Sequence, residues 1–163
     1  MQQLYPRYFY QKTKKKKFLN FFSFFILFLI IMKLILRGHH LLCLKGFQGY
    51  GYDESFTENM TDVNVKRKQP GTAVTLVSSP DDICRSCPNL INNMCENEKQ
   101  NARIVNMDNA VLKNFDTSIE HDSVELFDRI DDIFSTKESV CEICFNCIWH
   151  EKCLFYQNLS DNR

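Results

Sequence analysis

Apolar positions along this chain fall into short periodic runs broken by glycine, proline and asparagine. Leu34–Leu36 is an apolar run suited to a buried strand, and Gly38 ends it before a helix-like stretch, His39–Lys45. Ser55 with Glu58 three residues on has the form of a capping box. It predicts a helix of about three turns that stops before Pro70-Gly71. Thr72–Val77, TAVTLV, is β-branched and apolar and is the best strand candidate. Residues 97–115 repeat with a helical period that puts Ile104, Met107, Val111 and Leu112 on one face. Ser123–Phe134 does the same with Val124, Phe127, Ile130, Ile133 and Phe134 inward and Asp128, Asp131 and Asp132 outward. The tail NLSDNR is polar and expected to fray. Together these segments predict one small α+β domain over residues 32–163, with a short sheet and about four helices.

Residues 1–31 differ in kind. A basic run at Lys12–Lys17 precedes FLNFFSFFILFLII, and the apolar stretch from Phe18 is shorter than the ~20 residues a membrane span needs. No small-x-small cleavage site follows it, as a signal peptide would require. A Phe/Lys/Ile/Leu/Asn-dominated leader is what an A/T-rich untranslated stretch yields when read as codons, and Met32 supplies a start. The expectation is therefore a leader outside the domain, the alternative being a membrane anchor over residues 18–36.

Charge sharpens that division. The whole chain is formally neutral, but residues 1–31 hold six Lys/Arg and no acid. The remainder holds fourteen Lys/Arg against twenty Asp/Glu, a net of minus six. An acidic body without a basic stripe gives no electrostatic footprint for nucleic acid. Gly46, Gly49 and Gly51 alternate with Phe47, Tyr50 and Tyr52 but form no phosphate-binding pattern, and no GxxxxGK[ST] run occurs.

The chemistry is concentrated in cysteine. DDICRSCPNLINNMC places Cys84, Cys87 and Cys95 in a C-x2-C-P-x6-C pattern, and EICFNCIWHEKC places Cys144, Cys147 and Cys153 in C-x2-C-x5-C. A C-x2-C turn lets two thiolates reach one metal while backbone N–H groups offset the sulfur charge. Such spacing speaks for metal ligation in a reducing compartment, hence the cytoplasm, rather than a secreted disulfide framework. A single loop offers at most three thiols unless Cys141 joins the second. The expectation is thus two jaws meeting at one site, with Cys84, Cys87, Cys144 and Cys147 as its core and Cys95 and Cys153 as alternates. Cys43, four residues from His39 and three from His40, is either a further ligand or a small buried hydrophobe. Asp81 and Asp82 are expected to cap backbone N–H groups, Trp149 to shield a metal site from water, and His150 is a candidate substitute ligand.

The ordered set RGHHLLCLKGFQGYGY, DDICRSCPN and EICFNCIW resembles the bacterial and archaeal family called domain of unknown function 1284. The resemblance runs from Met32 to about Phe155 and implies iron–sulfur binding through Cys43, Cys84, Cys87, Cys95, Cys144, Cys147 and Cys153, with Cys141 outside the matched set. An iron–sulfur cluster would serve electron transfer with a redox partner protein or brace the fold. The alternative cofactor is zinc in an interaction module without redox role. No Ser/His/Asp set, paired-carboxylate cleft motif or C-x3-C-x2-C triad supports an enzyme.

Overall fold

The computed structural model describes residues 32–161, and the expectations for residues 1–31 lie outside the described residues. Alternation of outward Lys33 and Ile35 with inward Leu34 and Leu36 builds β1, Lys33–Arg37. It pairs in parallel with β2, Ala73–Val77, in the register Leu34↔Val74 and Leu36↔Leu76. Two helices make the crossover that a parallel pair requires: α1, Gly38–Gly46, and α2, Glu54–Lys66. A third strand, Glu120–Asp122, lies antiparallel on the far edge of β2. Its three polar residues, EHD, carry no apolar alternation, so only the partner strand reveals it. Between them Leu90–Ile91 and Met94–Cys95 form a small hairpin, β3 and β4, which makes Glu120–Asp122 strand β5.

The remaining helices are α3 (Glu98–Leu112), α4 (Ser123–Ile133), α5 (Cys141–Cys144) and α6 (Leu154–Asn158). The described residues therefore hold six helices where periodicity predicted about four, because α5 and α6 are too short to show a period. The core is assembled from Leu36, Leu41, Leu44, Ile83, Val111, Leu126 and Ile130. None of the described helices is long and apolar enough to cross a membrane, and residues 33–36 of the supposed anchor lie in β1.

Three local expectations are corrected. Asp53, not Ser55, caps α2, its carboxylate accepting from Phe56 N at 2.8 Å. In α4, Leu126 faces the core and Val124 is 44% exposed, because the cap at Asp122 starts the helix with Val124 on its outer side. The tail does not fray at once after Phe155, since Leu159 is buried and Ser160 bridges to Thr136.

Candidate metal centre

The sequence Arg37-Gly38-His39-His40 turns the chain from β1 into α1 and carries a buried ionic network. Arg37 donates from Nε and Nη2 to Asp108 Oδ2 at 2.9 and 2.6 Å, both side chains being essentially inaccessible. The other oxygen of Asp108 accepts His39 N at 3.1 Å and His39 Nδ1 at 2.7 Å. A Cβ at Gly38 would overlap the Asp108 backbone, so glycine is what allows α1 to begin directly against α3. Burial works to raise the Asp108 pKa, but the His39 and Arg37 hydrogen bonds outweigh it and hold the carboxyl below the usual range. Burial, with the neighbouring His40, pushes His39 down to about 4, so the ring is neutral at pH 7 and its Nδ1–H donates to Asp108.

Asp81 locks the first cysteine loop to that turn. Its Oδ1 accepts Ile83 N and Cys84 N, each at 3.0 Å, and its Oδ2 accepts Arg37 N and His40 Nδ1, each at 2.8 Å. Burial opposes ionisation, yet His40 and the converging N–H groups dominate and hold Asp81 well below the carboxylate range. Asp82 accepts Ile35 N at 2.8 Å, while its own N–H reaches Ile35 O. The two aspartates thus cap backbone donors on the open edge of β1, the side that β2 does not pair.

Cys84 emerges beneath this clamp, buried, with Arg37 Nη1 3.9 Å from its sulfur. Burial pushes its thiol up to about 12. Donor atoms of His40, Asp81 and Cys84 lie within 4.8 Å of one another, a spacing that suits a common metal ion. The C-x2-C turn is closed by Cys87 N to Cys84 O at 3.0 Å, Leu90 N donates to Cys87 O at 3.0 Å, and the Asn89 N–H is aimed at the Cys87 sulfur. Left-handed Asn92 and Asn93 make the tight β3–β4 turn, which returns Cys95 opposite Leu90.

The second loop gathers around the other end of α1. Burial raises Cys43 well above its ordinary value, and the next strongest contributions come from Cys147, Cys144 and Cys153. Cys144 is pushed to about 12 by burial and then by Cys147 and Cys153. Trp149 N–H points to the Cys147 sulfur, repeating the arrangement at Cys87. Gly46 gives Cys153 room, because a Cβ there would overlap its sulfur. Trp149 lies edge-on to Tyr52 at 5.6 Å, and burial raises the Tyr52 pKa, with the nearby Cys87, Cys43 and Cys95 adding to it after the opposing Trp149 contact. The aromatic pair therefore bridges the neighbourhoods of the two loops. His150 stacks on Tyr156 at 4.1 Å, and its buried Nε2 has no hydrogen-bond partner. Cys141 is exposed.

The two loops reach α1 at different ends, the first through Asp81 on His40 and the second through Cys153 beside Gly46. The sequence paired Cys84 and Cys87 with Cys144 and Cys147. The structure brings His40 and Asp81 beside Cys84, and packs Cys43, Cys144 and Cys153 against the same core. Arg37 and Asp108 were missed as members of the site. Arg37 ends the apolar run Leu34–Leu36 and Asp108 lies on the apolar face of α3, four residues from Ile104 and three from Val111, and an ionisable residue at such a position was the available signal. The donor set fits a thiophilic metal, since these buried thiols stay protonated at pH 7 until an ion that favours thiolate displaces the proton.

A family model described as a protein of unknown function (DUF1284) matches residues 51–153. That span covers well over half of the chain, and the chain belongs to this family. The match begins after α1, so Arg37, His39, His40 and Cys43 lie outside it. No curated protein and no solved structure matches the chain.

Proposed function

We propose that this protein is a cytoplasmic iron–sulfur protein whose cluster is held by Cys43, Cys144, Cys147 and Cys153. What supports this reading is that Cys43, Cys144 and Cys153 pack against the same core and Cys153 Sγ lies against Gly46 at the end of α1, while Cys147, Cys144 and Cys153 add to the burial that raises the Cys43 thiol; four sulfurs are a complete ligand set for a cluster. The chain's eight thiols, twice the number one zinc site takes, favour a cluster over zinc.

When bound, the cluster would pass single electrons to and from a redox partner protein. The chain's own contribution is to orient the thiols, to direct Trp149 N–H at a sulfur, and to limit water with the Trp149–Tyr52 pair. Anaerobic purification followed by iron, zinc and acid-labile sulfide analysis tests the reading. Iron and sulfide in near-equal amounts are expected, and Cys43→Ser should release both. Zinc without sulfide at these four thiols would instead establish the structural module.

A further inference from the structure

We propose that His40, Asp81 and Cys84 form a second, independent centre that binds a single divalent ion of the zinc class. Three kinds of donor converge there, imidazole nitrogen, carboxylate oxygen and thiolate sulfur, all within 4.8 Å of one another. The mixture suits a borderline metal and not magnesium or calcium, which take oxygen ligands alone. Each donor is held by the fold. His40 starts α1, Cys84 opens the metal-binding turn, and Asp81 is tied by three backbone N–H groups from β1 and the loop. The one bond on Asp81 that an ion can take over is the 2.8 Å contact with His40 Nδ1.

Binding balances in atoms and charge. Counted from the neutral imidazole, the ion takes the place of the proton between Asp81 Oδ2 and His40 Nδ1, and that proton moves to Nε2. Cys84 releases its thiol proton to solvent, so one proton leaves per ion bound. An ion of charge plus two then faces one carboxylate and one thiolate; binding adds a net plus one, which cancels the charge Asp81 carried and leaves the ion and its ligands neutral together. Arg37 stands beside Cys84, but its charge is already matched by Asp108 at 2.6 Å. It remains free to donate from Nη1 to the metal-bound sulfur. His40 keeps 12% of its side chain accessible, which leaves a route in and an open coordination position beyond the three protein donors.

The test uses the full chain with Cys144→Ala/Cys147→Ala, which removes the proposed cluster ligands, titrated with Co²⁺ and then displaced by Zn²⁺. One equivalent should bind, with thiolate-to-cobalt charge-transfer absorption and release of one proton. His40→Gln in that background should weaken binding at least tenfold, and Cys84→Ser should abolish the charge-transfer band. Absence of a stoichiometric ion, or affinity and spectrum unchanged by His40→Gln and Cys84→Ser, would overturn the proposal. Should the double variant fail to fold, zinc per chain in otherwise native protein carrying His40→Gln decides the matter. Loss of zinc with iron and sulfide retained supports the second centre, and unchanged zinc refutes it. Because iron and sulfide report only on the Cys43 set, failure of the cluster reading and failure of this one are separable.

Discussion

The two cysteine loops share a C-x2-C turn and an N–H group aimed at the second sulfur, yet the protein supports them differently. The first is built into the fold: Asp81 and Asp82 hold it to the edge of β1, Ile83 sits in the core, Asn59 donates to the Asp82 and Ile83 carbonyls, and a hairpin returns Cys95. The second is anchored chiefly by Val140 and Ile143, while Phe145 and Ile148 between its cysteines are each 77% exposed. Equal spacing therefore does not mean equal preorganisation. The first loop is tied to β1 by carboxylates that need no metal, whereas the backbone bonds of the second, such as Cys147 N to Cys144 O and Cys153 N to His150 O, close its own short turns.

The strongest way to break this contrast is Asp81→Ala. It strands three backbone N–H groups and His40, each buried orphan costing about 1–3 kcal/mol, so metal-free protein should lose at least about 3 kcal/mol in denaturant unfolding. A loss below about 1 kcal/mol would mean that the first loop is not held in this way. Gly46→Ala addresses the other side. Its new Cβ overlaps Cys153, and overpacking of this kind costs about 1–3 kcal/mol. Iron retention by the second loop should fall with it, while zinc at His40 and Cys84 stays. Loss of both metals together would show that the sites are one.

Metal removal gives the smallest and most local effect. In hydrogen exchange of the chelated protein, amides of residues 141–153 should exchange at least tenfold faster, roughly 1.4 kcal/mol of local stability. The Cys84 amide, bonded to Asp81 Oδ1, should change much less. Equal deprotection of both loops would erase the distinction between them.

Much of this molecule was legible in its sequence. Short apolar and β-branched runs located β1 and β2, and helical periods located α3 and α4, since a buried face imposes its pattern on any element that has one. The cysteine spacings marked both loops, because a two-residue gap is a local property of a turn. Asp81 and Asp82 were correctly expected to cap backbone donors, although nothing local named the strand whose donors they cap.

What only tertiary structure decided is which donors meet. Cys43 is about a hundred residues from Cys144 along the chain, and Arg37 is seventy-one from Asp108. No periodicity connects positions on different elements. Their encounter depends on Gly38 letting α1 start against the backbone of α3, and on Gly46 leaving space for Cys153 at the other end. The sequence by itself determined that this protein carries two thiol-rich turns on an α+β frame. The packing of α1 decided that Asp81 of the first turn meets His40 and that Cys153 of the second lies beside Gly46, because the direction of a side chain is set by the element beneath it and the neighbour opposite.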